Sequence, residues 1–243
     1  MKNKIILITG TNSGIGKNIV NMLNKEGCII IATSRNKKIN KKKGKIHYLH
    51  LDVTNEDHWK KIRDYIKINF GKLDTLINNA GVRKSGNIET TSTKEWNDIF
   101  NTNITSMFLG CKFCIPLLKK SKNSSIVNVG SITGIRGVKN MISYSSSKGA
   151  IVSFTASLAL DLAKYGIRVN SVAPGAVDTK MIWSLRKEIN SNVAFEKRMK
   201  ESHPIGRIAK PKEIAEVIFF LASQKSSFMT GLTLPVDGGR SIR

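Results

Sequence analysis

The sequence predicts a single-domain α/β fold in which a doubly wound, mostly parallel sheet of seven strands carries helices on both faces. Three observations predict this fold. Short apolar runs rich in β-branched residues alternate with helical patterns along the chain. The first of these runs leads directly into a glycine-rich turn that opens a helix. The 243 residues are 40% hydrophobic and contain no linker-like stretch, so we expect one domain over residues 1–243.

The amino-terminal segment predicts a nucleotide-binding turn. A strand over Lys4–Thr9 is followed by this turn and then by a helix that reaches Glu26. The turn consists of Gly10, Thr11, Asn12, Ser13, Gly14, Ile15 and Gly16. Glycines let the main chain adopt backbone angles closed to other residues and approach a pyrophosphate at the positive end of a helix. The spacing differs from the commonest dinucleotide fingerprint, so the turn alone also fits an ordinary tight strand-to-helix connection.

The rest of the chain continues the alternation of strands and helices. Six further strands are predicted at Cys28–Ser34, Lys45–Leu51, Leu73–Asn78, Ser125–Val129, Ile167–Val172 and Leu232–Val236. Helices are predicted at Asn55–Phe70, Lys94–Lys120, Ser145–Lys164 and Pro211–Ala222. Residues 178–210 interrupt the alternation after the carboxyl end of a strand, which is where a lid over the substrate is expected.

The charge of the chain bears on its partners. The formal net charge is +23, and a dense basic run comprises Lys37, Lys38, Lys41, Lys42, Lys43 and Lys45. Lysine is spread over almost every predicted helix surface, which indicates a compositional bias more than a nucleic-acid-binding face. We therefore expect no nucleic-acid partner, whereas a basic surface would attract acidic substrates or an acidic carrier protein.

The cysteines and the apolar runs bear on metals, disulfides and location. Three cysteines in a chain of this size argue against a disulfide framework. Cys111 and Cys114 form a Cys-x-x-Cys pattern, but no second pair of ligands is nearby, so we expect core packing and no metal site. No apolar run approaches the roughly 20 residues of a bilayer span, and no signal-peptide profile is present, so we expect a cytoplasmic protein without membrane partners.

A serine, a tyrosine and a lysine predict acid–base chemistry in one cleft. Tyr144 and Lys148 are four residues apart in a helical pattern, so their side chains project from the same face. Because tyrosine titrates near about 10, a cation is needed to stabilise its anion at neutral pH, and Lys148 would supply it. Ser131 follows the strand Ser125–Val129 and would donate a hydrogen bond to a carbonyl oxygen that gains charge.

The end of the second predicted strand indicates which dinucleotide is bound. In a dinucleotide fold a carboxylate at this place binds the ribose 2′-hydroxyl of NAD, whereas an arginine accommodates the 2′-phosphate of NADP. This chain has Arg35 there, and no Asp or Glu occurs between Gly27 and Asp52. NADP(H) is therefore favoured, with Lys37 and Lys38 as further attraction for the phosphate.

In their order and spacing, these motifs resemble those of the short-chain dehydrogenase/reductase family over essentially the whole chain. The matching residues are Thr9 to Gly16, Leu51-Asp52-Val53, Asn78-Asn79-Ala80-Gly81, Asn103, Ser131, Tyr144 with Lys148, and Pro174-Gly175 with Thr179. Within the family the chain is most similar to the 3-oxoacyl carrier-protein reductases. The resemblance implies a single NAD(P)-binding Rossmann domain and an oxidoreductase that acts on CH–OH or C=O groups.

The resemblance also implies a role for each matched residue. Tyr144 would exchange the proton, Lys148 would hold the nicotinamide ribose and lower the tyrosine pKa, and Ser131 would orient the substrate. Asn103 would position a helix backbone and a water in the proton relay. Beyond the glycine turn, the implied cofactor contacts are Asp52 and Val53 at the adenine, Asn79, Ala80 and Gly81 beside the adenosine ribose, and Pro174, Gly175 and Thr179 at the nicotinamide. Ser13 departs from the basic residue that many NADP-using relatives carry there, which keeps NAD(H) open as an alternative.

The substrate is open at the level of sequence. Segments expected to rim the pocket contain Arg83, Arg136, Met141, Ile142, Met181, Ile182 and Trp183, a mixture that suits many carbonyl compounds. The resemblance favours a 3-oxoacyl thioester, with Lys119, Lys120 and Lys122 as candidate contacts for an acidic carrier protein. The alternative within the enzyme class is another alcohol, sugar or polyol, and the alternative outside it is a protein that only senses the dinucleotide.

Two further expectations concern the lid and the assembly. His203 is expected to be a surface residue, because a lone histidine in such a segment is rarely a catalyst. Relatives commonly assemble as tetramers through the helices that correspond to Lys94–Lys120 and Ser145–Lys164, so the resemblance implies a homotetramer.

Overall fold

The central sheet positions every other element of this computed structural model, which describes residues 1–36, 40–189 and 191–243. Its strands are β1 (Ile5–Thr9), β2 (Ile29–Ser34), β3 (Lys41–Lys43), β4 (Ile46–His50), β5 (Thr75–Asn78), β6 (Ser125–Val129), β7 (Arg168–Pro174) and β8 (Thr233–Val236). They are arranged in the order β3-β4-β2-β1-β5-β6-β7-β8. The chain winds outward from β1 in both directions, which confirms the doubly wound α/β fold.

The described residues form eight strands, one more than the seven predicted. The additional strand, β3, pairs antiparallel with β4 at the edge of the sheet, whereas all other pairs are parallel. Its three residues are exposed lysines, so no apolar alternation marks them as a strand. Main-chain pairing with Ile46, His47 and Tyr48 determines their conformation.

The helices cover both faces of the sheet. They are α1 (Gly14–Lys25), α2 (Glu56–Phe70), α3 (Thr93–Phe100), α4 (Ser106–Leu118), α5 (Ile142–Ala163), α6 (Lys180–Ile189), α7 (Asn192–Ser202) and α8 (Pro211–Ala222). The helix predicted over Lys94–Lys120 is interrupted by a π-helical turn at Asn101–Thr105. The predicted lid at 178–210 contains α6 and α7. Across the described residues, no helix has both the length and the apolar character needed to cross a bilayer.

Alternation within the strands builds a core on each side of the sheet. In β1, Ile5 and Leu7 face one core with Trp59 of α2, while Ile6 and Ile8 face the other. The first core also takes side chains from α4 and α5, and the second takes side chains from α1 and α8. A strand buried on both faces reads as a continuous apolar run, which is why β1 is visible in the sequence. The layered core holds the carboxyl ends of the parallel strands at one edge.

Candidate active site

A cleft with a volume of about 1120 Å³ lies at the carboxyl ends of the central strands. The turn after β1 forms its floor, Arg35 and Asp52 lie at one end, and Ser131 and Tyr144 lie at the other. The cleft opens where the strand order reverses between β1 and β5, which is the usual ligand position in a doubly wound sheet.

Two glycines of the turn leave room for a close approach of main chain. Gly10 has a φ of +70°, a conformation that disfavours a side chain. A Cβ at Gly16 would stand only 2.3 Å from the carbonyl oxygen of Gly10, so no other residue fits there. The turn therefore forms a cradle at the amino end of α1, where free N–H groups and the helix dipole favour a phosphate. These features fit a pyrophosphate group, as the sequence predicted.

The turn is fixed to its neighbours by side-chain hydrogen bonds. The Thr9 hydroxyl oxygen accepts from the N–H groups of Asn79 at 3.0 Å and Ala80 at 2.9 Å. The Asn79 amide donates back to the carbonyl oxygens of Thr9 and Gly10. Thr11 does not line the cleft; it donates through its hydroxyl to the carbonyl oxygen of Thr33 and so ties the turn to β2. The other predicted turn residues, together with Asn79, Ala80 and Gly81, line the cleft.

At the far end of the cleft, Arg35 and Asp52 lie close enough to interact. Arg35 is exposed, and its charge helps to keep the Asp52 pKa below its usual value. Burial works against this lowering, but the N–H and hydroxyl groups of Thr54 donate to Asp52 and, with Arg35 and His58, outweigh it. Arg35 therefore places a positive charge at this end of the cleft, which Asp52 and Val53 also line. Lys37 and Lys38, also expected here, lie outside the described residues.

At the opposite end, Ser131 and Tyr144 both line the cleft, and the Ser131 hydroxyl is near enough to the phenol to influence its pKa. Ser131 also accepts from the N–H of Thr133 at 3.2 Å and from its hydroxyl at 3.1 Å. Burial raises the pKa of Tyr144, and the nearby Ser131 hydroxyl and the charge of Arg83 only partly offset this increase. The phenol is therefore held in its protonated form beside a second hydroxyl that can donate a hydrogen bond.

Lys148 lies one helical turn from Tyr144 and lines the same cleft. Its Nζ donates to the carbonyl oxygen of Val129 at 2.9 Å, and it stands 5.7 Å from the centre of the Tyr144 ring. Burial lowers the pKa of Lys148 to about 8. Burial of the phenol is the main influence on the Tyr144 pKa in this structure, and a role for Lys148 in lowering that pKa stays a prediction.

Asn103 lies at the centre of the π-helical turn and is fully buried. Its side chain accepts from the N–H of Val82 at 2.8 Å and donates to the Val82 carbonyl oxygen at 3.0 Å. It also donates to the Ser147 hydroxyl, which in turn donates to the carbonyl oxygen of Tyr144. Asn103 does not line the cleft. Through these hydrogen bonds it fixes the segment that follows β5 relative to the first turns of α5. π-helical insertions are common at functional sites.

The loop after β7 closes the cleft and is fixed by the lid. Pro174, Gly175 and Thr179 line the cleft. His203 is 2% exposed, so the expectation of a surface histidine is wrong. Its Nε2 accepts from the N–H of Ala176 at 3.1 Å, which leaves Nδ1 as the donor to the Met199 carbonyl oxygen at 2.8 Å. His203 thus joins α7 to the loop at the substrate end of the cleft.

The predicted rim residues divide into two groups. Arg83, Met141, Met181 and Ile182 line the cleft, whereas Arg136, Ile142 and Trp183 do not. The lysines proposed for a carrier protein, Lys119, Lys120 and Lys122, lie between the end of α4 and the start of β6. That is the amino end of β6, and Ser131 follows its carboxyl end, roughly 16 Å of strand away. These lysines do not line the cleft.

Several residues of the site escape prediction from sequence. Thr54 directly follows the matched motif Leu51-Asp52-Val53, and Ser147 lies between Tyr144 and Lys148. The Asp-x-Thr pattern of Asp52 and Thr54 is a local turn signature that would have identified Thr54. Arg198 and Arg240 line the cleft from distant parts of the chain, and no local pattern marks them.

The cysteines play no part in the site. Cys111 and Cys114 are free and buried, which confirms core packing, and burial raises the pKa of both thiols. In the part of the chain that the structure describes, no group of three or more His, Cys, Asp or Glu side chains is arranged to hold a metal ion.

Comparison with known proteins adds independent findings. Residues 10–241 match the family model described as Enoyl-(Acyl carrier protein) reductase. The chain is 38% identical to a cyclopentanol dehydrogenase from Comamonas sp. strain NCIMB 9872, over 98% of this chain and 97% of that protein. It is 34% identical to a 3-oxoacyl-[acyl-carrier-protein] reductase from Thermotoga maritima, over 100% of this chain and 99% of the other. The solved structure of the protein ElxO with NADP bound superposes with a TM-score of 0.91, at 34% identity and full coverage of both chains.

Proposed function

Because the chain belongs to the short-chain dehydrogenase/reductase family, we propose that it reduces a carbonyl group to an alcohol with NADP(H) as its cofactor. The observation that carries the proposal is that Ser131 and Tyr144 line the same cleft as the glycine cradle. A proton donor and a nucleotide cradle in one cleft are the two parts that such a reduction requires.

The residues at each end of the cleft support the choice of cofactor. When bound, the dinucleotide supplies the hydride. The cradle from Gly10 to Gly16 would hold its pyrophosphate, and Arg35 would hold a 2′-phosphate, since the Asp52 carboxylate is occupied by Thr54. The bound NADP of the similar protein ElxO supports the same choice. NAD(H) is the alternative, which the experiment below tests directly.

Each residue around Tyr144 would have a defined task in the proton transfer. A carbonyl oxygen gains negative charge as it is reduced, and the Ser131 and Tyr144 hydroxyl groups would donate hydrogen bonds to it. Tyr144 would then give up its proton, and its raised pKa keeps the required protonated form at neutral pH. Lys148 would supply a nearby positive charge, and Asn103 would hold the α5 backbone through Ser147.

We propose a 3-oxoacyl thioester as the first substrate to test. The likeness to the Thermotoga maritima reductase over the full chain supports it. A second candidate is a non-thioester alcohol or ketone, which is favoured by the 38% identity to a cyclopentanol dehydrogenase. One argument for a carrier protein was that it would contact Lys119, Lys120 and Lys122. These lysines lie away from the cleft, so that argument is removed.

The decisive experiment measures NADPH and NADH oxidation by the purified protein with an acetoacetyl thioester and a panel of aldehydes, ketones and sugars. We expect turnover with NADPH and at least one of these carbonyl compounds. A protein that binds NADPH but turns over none of them would be a dinucleotide sensor instead of an enzyme.

A pair of serine variants controls for structural damage. Ser131→Ala removes a donor to the developing oxyanion and should lower kcat by about 100-fold. Ser145→Ala removes a buried hydroxyl one residue from Tyr144 that has no hydrogen-bond partner among the described residues. This second variant should therefore retain the wild-type rate.

A further inference from the structure

Arginine and lysine are distributed differently around the cleft. Among residues whose side chains the structure describes, four of the chain's ten arginines line the cleft, but only three of its 30 lysines do. General lysine enrichment therefore does not explain the arginines. An arginine presents a planar pair of donors that matches a carboxylate or a phosphate, whereas a lysine acts as a point charge.

Two of these arginines lie at the substrate end of the cleft. Arg198 comes from α7 of the lid, and Arg240 comes from the turn Arg240–Ile242 that follows β8. They line the same cavity as Ser131 and Tyr144. Arg35, the candidate partner of the cofactor phosphate, lies beyond the glycine cradle. It is therefore separate from the positive group that Arg198 and Arg240 form.

The backbone around Arg240 is held in place by a third arginine. The Arg136 Nη1 donates to the main-chain oxygens of Arg240 at 2.6 Å and Arg243 at 2.8 Å. Arg136 thereby joins the loop after β6, which carries Ser131, to the carboxyl-terminal turn. The position of Arg240 relative to the catalytic loop is therefore built into the fold.

The positive charge at this place is only partly balanced by carboxylates. Burial and the charges of Arg136 and Arg198 lower the pKa of Arg240, and only Asp237 acts in the opposite direction. The Asp237 carboxylate already accepts from the N–H groups of Gly239 at 3.0 Å and Ser241 at 2.6 Å. Among the described residues, no carboxylate forms an ion pair with Arg198 or Arg240. Arg240 is half-buried, whereas Arg136 and Arg198 are exposed, and an anion that binds beside Arg240 would offset the repulsion between these like charges.

We propose that the carbonyl substrate carries an anionic oxygen group, a carboxylate or a phosphate, that Arg198 and Arg240 bind while Ser131 and Tyr144 bind the carbonyl. The proposal rests on the proposed function and narrows its substrate class. The two arginines act as specificity-determining residues, because a neutral substrate of the same shape leaves their charge uncompensated.

The first test compares substrates that share a reacting carbonyl but carry either an anionic or a neutral group beside it. Acetoacetate is paired with methyl acetoacetate, dihydroxyacetone phosphate with dihydroxyacetone, and acetoacetyl-coenzyme A with the acetoacetyl thioester of N-acetylcysteamine. We expect the charged member of at least one pair to have a kcat/KM about tenfold or more above that of its neutral partner. The pair that shows the preference identifies the source of the anion as a carboxylate, a small phosphate or the phosphate of a carrier arm.

The second test assigns the preference to the two arginines. Arg240→Gln and Arg198→Gln should each lower the charged-to-neutral ratio of kcat/KM by about tenfold or more, mainly through KM. Lys197→Gln removes a positive charge from the adjacent position of α7, where Lys197 pairs with Glu201 and does not line the cleft. This control should keep the wild-type ratio. Equal kcat/KM within all three pairs, or a ratio that both arginine variants leave unchanged, would overturn the proposal.

A binding measurement separates this proposal from the proposed function. Calorimetry with NADP⁺-saturated protein follows the binding of 3-hydroxybutyrate, with its methyl ester as the neutral control. If no carbonyl compound is turned over but 3-hydroxybutyrate binds and Arg240→Gln weakens its binding about tenfold or more, the anion site stands without the enzyme assignment. A second outcome is turnover in which the charged and neutral members of every pair bind and react equally well. In that case the enzyme assignment stands and the anion site is refuted.

Discussion

The phenol of Tyr144 shows how local surroundings set a protonation state. Burial destabilises its phenolate form more than the nearby Ser131 hydroxyl and the charge of Arg83 stabilise it, so the pKa lies above its ordinary value. Reduction of a carbonyl takes a proton from a protonated phenol. Oxidation of an alcohol runs in the opposite direction and needs a phenolate that accepts the proton. At the residue scale, burial therefore keeps the phenol in the form that can donate a proton.

Tyr144→Phe tests this role because it removes only the transferable proton. We expect NADPH affinity to be retained and kcat to fall by about 100-fold or more, since the ring still fills the same space. The measurement combines NADPH fluorescence titration with the steady-state rate. A variant that keeps more than a tenth of the wild-type kcat would show that another group donates the proton.

Arg35→Asp tests whether Arg35 contacts the 2′-phosphate at the adenosine end of the cofactor. The arginine is the cation beside Asp52, and a second carboxylate would repel a 2′-phosphate while accepting from a ribose 2′-hydroxyl. We expect the NADPH-to-NADH ratio of kcat/KM to fall by about tenfold or more. Arg35→Lys is the matched control, because it keeps the charge and should preserve most of the preference. An unchanged ratio in Arg35→Asp would mean that Arg35 does not contact the phosphate.

At the scale of elements, one buried histidine connects the lid to the cleft. His203 accepts from Ala176 through Nε2 and donates to Met199 through Nδ1, so only the neutral form satisfies both contacts. The Ser202 hydroxyl and the charges of Arg240 and Asp237 also face it. Burial is the main reason that its pKa is lower than the ordinary value of 6.5.

The sign of the resulting pH dependence follows from linkage. A histidine whose pKa is lowered in the folded state contributes stability that is fully present above its ordinary pKa and is lost as the pH falls below it. We therefore expect the lid to loosen between about pH 7 and pH 5. Hydrogen exchange of Ala176 and of α7, corrected for the intrinsic rate, should accelerate in that interval.

Two histidine variants localise this effect. His203→Gln keeps an acceptor for Ala176 without titrating, so the acid acceleration of exchange in α7 should disappear. Burial and Lys42 also lower the pKa of His47. His47 lies in β4, however, near the edge of the sheet opposite to the one that carries β7 and the lid. His47→Gln should leave the lid response as it is in the wild type. An α7 response that survives in His203→Gln would assign the pH sensitivity to another group.

A helix or strand can be predicted when a local pattern of residues marks it. The strand Ser125–Val129 and the helix Pro211–Ala222 have the bounds that the sequence predicted, because an apolar run and a proline at the first helical position mark them. The strand Lys41–Lys43 was missed because only its main-chain pairing makes it a strand. The π-helical turn at Asn101–Thr105 was missed because its periodicity continues that of the flanking helices.

The same distinction divides the site. Ser131, Tyr144 and Lys148 are recognisable because two of them share a helix face and the third follows a strand. Arg198, His203 and Arg240 reach the cleft only through tertiary folding, and no spacing rule links α7 to the carboxyl-terminal turn. The direction of the Tyr144 pKa was likewise out of reach of sequence, because it depends on how deeply the phenol is buried.

At the scale of the whole molecule, large apolar side chains are exposed on the helices through which relatives assemble. Leu160 of α5 is 81% exposed and Phe108 of α4 is 50% exposed. A single chain leaves these side chains in water, and a second copy that covers them would remove that cost. Contacts between copies along α4 and α5 would also restrain the helix that carries Tyr144 and Lys148.

We therefore predict a homotetramer, with a mass in light scattering of four times the 26.9 kDa chain. Leu160→Glu should reduce the oligomer size, because an interface would have to desolvate a carboxylate without a partner. Ile68 of α2 is equally exposed, at 81%, but lies on a helix outside the expected interface, so Ile68→Glu should remain tetrameric. If both variants kept the wild-type mass, α5 would not form the interface. If the wild-type chain were monomeric, the apolar side chains of α4 and α5 would need another occupant, and Tyr144 and Lys148 would be held by intramolecular packing alone.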